Sequence, residues 1–176
     1  SSGAEGWRQA EAQGAETAGI VAALDAERVI IAGALLQPLL ERRLLEPAAA
    51  ASAFGQAASD FAAELGRLGE FRTGAQWSPE SSLSGAQADA LRRMLLAVVT
   101  DPRLVLVRLA DQLRRMRQAR DLDESTRLQN DSATREIYAP LANRLGIWQL
   151  KWELEDLAFR WLEPASYRQI AGQLNE

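Results

Sequence analysis

The sequence predicts an all-α fold, a bundle of amphipathic helices, and three observations carry the prediction. Ala, Leu, Glu, Gln and Arg are abundant, while aromatic residues make up only 6% of the chain and β-branched residues are few, a bias towards helix. Apolar residues recur at three- and four-residue spacing through most of the chain, enough for about six or seven amphipathic helices. No strand alternates with helix, and no internal repeat is visible.

Taken in order, the first helix is expected from about Glu5 to Leu24. Asp25 is placed to cap a second, with Val29, Ile30, Ala34, Leu36, Leu40 and Leu44 as its apolar positions. Pro47, suited to a first helical position, opens a third helix to about Leu68, with Phe54, Ala58, Phe61, Ala62, Leu65 and Leu68 facing inwards. From Gly69 to Gly85 the periodicity lapses into Gly, Ser, Thr and Pro, which predicts a long mobile loop. Ser84 and Gln87 have the spacing of a capping box and start a fourth helix through Leu91, Met94, Leu95 and Val98. Asp101-Pro102 stops that helix and starts the next, where Leu106, Leu109, Ala110, Leu113 and Met116 share a face. Leu104 and Val107 lie off that stripe, so this helix should be buried on more than one side. Another helix is expected from Glu124 to Leu145, kinked or divided near Ala139 by Pro140 and ended by Gly146. A further helix from Trp148 to Leu162 carries Leu150, Leu154, Leu157 and Trp161 on one stripe; Trp148, Trp152 and Trp161 are read as packing residues. Pro164 ends it, and a short helix follows.

Composition removes whole classes of chemistry. The chain has 176 residues, enough for one compact domain or a domain with a small helical appendage. It has no histidine, so a histidine metal centre, a Ser-His or Cys-His nucleophile and a histidine acid or base are all excluded. Cysteine is absent too, which removes disulfides and thiolate metal sites. A net charge of −4 exerts no general pull on nucleic acid or anionic membrane. No apolar run is long enough to span a membrane. The start, Ser1-Ser2-Gly3, reads as a flexible end or a cloning remnant rather than a secretory signal, and a cytoplasmic location is expected.

The segment from Tyr138 to Leu162, Tyr-Ala-Pro-Leu-Ala-Asn-Arg-Leu-Gly-Ile-Trp-Gln-Leu-Lys-Trp-Glu-Leu-Glu-Asp-Leu-Ala-Phe-Arg-Trp-Leu, closely resembles RelA/SpoT alarmone enzymes without a gap. Upstream, Leu91-Arg-Arg-Met-Leu-Leu-Ala and Val105-Leu-Val-Arg-Leu-Ala-Asp111 resemble the helices before and containing that family's metal-binding Asp. Ala18-Gly-Ile-Val-Ala-Ala-Leu24 and Ile31-Ala-Gly-Ala-Leu-Leu36 resemble the helices that carry its metal-binding His and His-Asp residues. The likeness covers about residues 10 to 176 and is stronger after Leu91. It implies an HD-type domain over residues 1–120 and a helical connector over 121–176, leading towards a synthetase domain. In such enzymes the HD domain removes the 3′-pyrophosphate of (p)ppGpp with a manganese ion, and the synthetase moves pyrophosphate from ATP to GTP or GDP in the stringent response.

Position by position, the resemblance implies a damaged site. The family motif His-Asp-x-x-Glu-Asp falls on Gln37-Pro38-Leu39-Leu40-Glu41-Arg42, and the upstream His falls on Gln13. Only Glu41 and Asp111 survive. A hydrolytic ion needs imidazole and carboxylate ligands to activate water; Gln13 and Gln37 are poor substitutes, Pro38 offers none, and Arg42 brings positive charge where a carboxylate belongs. Asp111 is spaced for ion pairs with Arg108 and Arg115, and Gln37 and Glu41 share a helix face, so polarity alone explains both survivors. Gln112, Arg114, Arg115 and Gln118 replace the Arg, His, Asn and Thr common in active relatives. Arg42, Arg114 and Arg115 are candidates for an anion or guanine-nucleotide contact, since Arg grips phosphate in bidentate fashion.

The expected function is therefore a catalytically inactive, hydrolase-type regulatory domain, without metal or cofactor. Its parent would be a RelA-like GTP pyrophosphokinase. Its partners would be the adjacent synthetase domain, a guanine nucleotide and a second copy in a homodimer, with the ribosome reached only through other domains and no membrane. The competing readings are a structural or dimerisation scaffold and a residual hydrolase with a metal held by carboxylates.

Overall fold

Local capping and breaking residues set the helix boundaries in the computed structural model, which describes residues 2–73 and 80–174. The helices are α1 (Ser2–Ala23), α2 (Arg28–Glu41), α3 (Pro47–Phe54), α4 (Gln56–Leu68), α5 (Gly85–Thr100), α6 (Pro102–Arg117), α7 (Glu124–Ala133), α8 (Ala139–Arg144), α9 (Trp148–Leu162) and α10 (Pro164–Leu174). A 3-10 turn (Ala119–Asp121) precedes α7, and a π-turn (Thr134–Tyr138) joins α7 to α8. None of the described residues lies in a strand, and the all-α class is correct.

Several boundaries follow the sequence signals closely. At the start of α5 the Ser84 amide donates to Gln87 Oε1 at 2.9 Å, and the Gln87 amide donates to Ser84 Oγ at 3.2 Å, a reciprocal capping box. Gly146, at φ 72°, takes the left-handed conformation that closes α8. Three expectations need correction, and one at Pro140 is met. The helix foreseen from Pro47 to Leu68 is two helices, because Gly55 adopts φ 92° and ψ 151°, a conformation no helix interior accepts. Asp25 does not cap α2; it sits at φ 58° in the turn after α1, and Glu27 occupies the cap position without a side-chain bond. As expected, the helix from Glu124 is divided near Ala139: Pro140 opens α8 after the π-turn, in which the Ala139 N–H reaches the Thr134 carbonyl five residues back. The wider turn absorbs the ring that would otherwise strike the preceding carbonyl. Finally, Trp148 and Trp152 are not packing residues: they are 53% and 65% exposed, while Leu150, Leu154 and Ala158 form the buried face of α9.

The chain divides into two units, Ser1–Glu70 with Ala90–Asp111, and Phe71–Asp89 with Gln112–Glu176. In the first, α1 packs on α2, and α2 on α4. Gly14 permits the first of these approaches, since a side chain there would run into the Leu35 carbonyl. Leu36, Ala50, Ala58 and Ala62 form a small buried cluster beside it. Arg108 is buried, bonded to the Leu65 carbonyl and 3.6 Å from the Glu70 carboxylate.

The second unit is held by longer-range polar bonds. Asp123 caps α7 by accepting from the Thr126 amide at 2.9 Å and the Thr126 hydroxyl at 2.7 Å, and these bonds lower its pKa. Gln112 Nε2 donates to the Asn130 carbonyl at 3.2 Å and to Thr134 Oγ1 at 3.0 Å, tying the end of α6 to the π-turn. Tyr138 is buried and donates its hydroxyl to the Phe71 carbonyl at 2.9 Å. Thr73 donates to the Gln129 carbonyl at 3.1 Å. The start of the segment expected to be mobile is thus anchored; its residues 74–79 lie outside the described residues.

Candidate functional site

The positions matched to a hydrolase motif all lie in the first unit, on α1, α2 and α6. α2 runs unbroken through Pro38 to Glu41, although a proline ring inside a helix removes a backbone bond. The lost N–H falls in the last turns of the helix, and burial of Leu36 and Leu39 on either side offsets a cost of about 3 kcal/mol. Gln37 and Glu41 therefore keep their helical register, and Gln37 Nε2 donates to Glu41 Oε2 at 2.9 Å. This pair edges a largely apolar cavity of about 400 Å³ that also touches Leu40, Ser59 and Ala62.

Arg42 follows at the C-cap of α2 and returns to α1, where its Nη2 donates to Gln13 Oε1 at 2.8 Å. One turn along α1, Thr17 Oγ1 donates to Asp111 Oδ1 at 3.3 Å, both residues buried. Gln13 and Thr17 share a face of α1 by their spacing, so α1 receives a cation from α2 and a carboxylate from α6. Thr17 was not foreseen: its partner lies 94 residues away, and only its spacing from Gln13 hinted at it. Arg108, on the same helix as Asp111, bonds to the Leu65 carbonyl and pairs with Glu70.

A divalent ion does not fit these residues. Among the described residues no group of three or more Asp or Glu side chains is placed to hold one, and the sequence contains no His or Cys. The Gln13 amide oxygen, at the position matched to the upstream His, faces the Arg42 guanidinium, and positive charge at that distance opposes a cation.

Arg114 and Arg115 lie in the second unit. With Arg72, Gln118, Leu122, Thr126 and Asn130 they line a cavity of about 230 Å³ whose walls carry three guanidinium groups. Arg114 Nη1 donates to Gln118 Oε1 at 3.2 Å, which steadies that wall. Arg72 was not foreseen, because nothing local in the sequence links it to α6. Arg42 belongs to the first unit, with Gln13 as its partner.

Comparison with known proteins agrees with this architecture. The family described as HD domain matches residues 7–148. The chain belongs to the HD-domain family, of the RelA/SpoT type. It is 36% identical over 159 residues to a probable guanosine-3′,5′-bis(diphosphate) 3′-pyrophosphohydrolase of Synechocystis sp., which covers 90% of this chain and 20% of that protein. It is 50% identical over 95 residues to the GTP pyrophosphokinase of Escherichia coli strain K12, 54% of this chain and 13% of that one. The GTP pyrophosphokinase of Myxococcus xanthus is 34% identical over 161 residues, 92% and 21% of the two chains. This RelA/SpoT-type HD domain thus spans about a fifth or less of the length of these relatives. None of its described helices is long and apolar enough to cross a membrane.

Proposed function

We propose that this HD domain does not hydrolyse (p)ppGpp and serves as a regulatory domain of a longer, cytoplasmic GTP pyrophosphokinase of the stringent response. The observation that carries this reading is the Arg42–Gln13 pair. It seats a cation where the family places a ligand and a carboxylate, and leaves Asp111 to hydrogen-bond with Thr17. Without a divalent ion there is no activated water and no charge to offset that developing on the leaving pyrophosphate. Residues 1–120 then act as a pseudo-hydrolase domain, and 121–176 connect it to the synthetase of the parent chain. The arginine-lined cavity formed by Arg72, Arg114 and Arg115 supports a regulatory role over a purely structural one. Guanidinium groups gathered on one cavity suit a guanine nucleotide's phosphates, which they can grip in bidentate fashion.

Reversion tests the reading. Gln37→His alone should restore neither manganese binding nor pyrophosphate release, because Gln13, Pro38 and Arg42 still supply no ligand. Recovery by that single change would show a site intact but for one residue, and the proposed extent of loss would be wrong.

A further inference from the structure

The second unit contains a buried carboxylate that the proposed function leaves unused. Asp131, on α7, has no solvent exposure, and among the described residues neither of its oxygens accepts a hydrogen bond. One turn earlier on the same helix, Arg127 lays its guanidinium over the Trp161 ring, 5.4 Å from the centroid. The Trp161 indole Nε1 is itself buried and without a hydrogen-bond partner among the described residues. α7 packs on α9, so a single cation stands within reach of two acceptors, a π face at the end of α9 and a carboxyl group on its own helix.

The other charges on the packed elements are occupied or turned away. On α9, Lys151 pairs with Glu155, Arg160 with Asp156, and Glu153 with Arg117 of α6. On the π-turn, Arg135 pairs with Glu136. On the 3-10 turn, Arg120 and Asp121 are exposed, as is Arg144 on α8; Arg114 and Arg115 of α6 line the cavity described above. Arg127 is the charge that acts on Asp131, against a larger opposing effect of desolvation.

We propose that Asp131, Arg127 and Trp161 form a proton-operated latch between α7 and the C-terminal end of α9. With Asp131 neutral, its carboxyl needs no counter-ion and Arg127 stays on the Trp161 ring. When Asp131 releases its proton to solvent, the buried carboxylate draws the guanidinium away from the ring, because an ion pair in a desolvated site outweighs a cation–π contact. Trp161, and with it the junction of α9 and α10, loses its clamp. Burial holds the Asp131 carboxyl protonated up to about pH 7, so the latch works near neutrality. It operates whether or not the domain retains any hydrolase chemistry.

The test follows the Trp161 indole N–H resonance of the folded chain, assigned by its loss in Trp161→Phe, from about pH 5 to about pH 9. One inflection near neutrality is expected, absent in Asp131→Asn; in Arg127→Gln the resonance should stay at its high-pH position throughout. A flat profile in the native protein, or an unchanged inflection in Asp131→Asn, overturns the latch. Should a variant fail to fold, the native Asp131 carboxyl-carbon resonance decides. A midpoint shared with the Trp161 indole supports coupling, and a midpoint in the ordinary Asp range or unmatched by the indole overturns it.

Discussion

Replacing Asp131 with Asn should make the protein more stable above neutral pH, an unusual outcome for a buried polar residue. The folded carboxyl has its pKa raised from 3.8 to about 7, by desolvation first and against an opposing pull from Arg127. An acid whose folded pKa lies above its unfolded one binds more protons when folded. Its stabilising contribution is complete below the unfolded value and is lost as pH rises through the folded value. The difference of about three units, at roughly 1.4 kcal/mol each, amounts to about 4 kcal/mol between acid and mildly alkaline solution. Against a total stability of about 5–15 kcal/mol, that is a large share. Asp131→Asn keeps the shape and removes the ionisation, so it should abolish the decline. Urea unfolding between about pH 4.5 and pH 8.5 measures it. The native midpoint should fall across the range, the variant's should stay level, and the two should cross. A variant with the native slope, or one less stable than native at the alkaline end, would refute the assignment of this proton to Asp131.

Gly14→Ala should lower stability by roughly 1–3 kcal/mol in the same urea assay, although Ala favours helix, because the new methyl meets the Leu35 backbone rather than a movable side chain. Tyr138→Phe should cost about 1–3 kcal/mol, since it leaves the buried Phe71 carbonyl without its donor. A level thermal midpoint in that variant would mean the bond contributes nothing. The double variant Arg114→Ala, Arg115→Ala should weaken calorimetric binding of GDP by about tenfold, roughly 1.4 kcal/mol, with folding unchanged.

Features that depend on neighbouring residues were legible in the sequence. The Ser84–Gln87 box, the Asp101-Pro102 restart and the Gly146 cap are each decided within one turn of helix, by backbone bonds that only certain side chains satisfy. Gly55 was not, because helical periodicity continues on both sides and conceals a change of direction. Pro38 shows a local rule overridden by packing around α2, whereas Pro140 follows the rule and divides its helix through a π-turn. The spacing of Trp148 and Trp152 correctly put them on one face of α9, yet only the partner helices determine which face is buried. The residue types at Gln13, Gln37 and Pro38 are read directly from the sequence. What occupies their surroundings is not: the bonds of Arg42 to Gln13 and Thr17 to Asp111 join distant segments, as does the arrival of Arg72 beside Arg114 and Arg115.

The central claim is tested most directly by titrating the native domain with manganese in a calorimeter and assaying the same sample for pyrophosphate released from (p)ppGpp. The Arg42–Gln13 pair, the Thr17–Asp111 bond and the absence of histidine predict no saturable manganese binding in the micromolar range and no release above the protein-free rate. Micromolar affinity for manganese, or turnover that depends on it, would contradict the account.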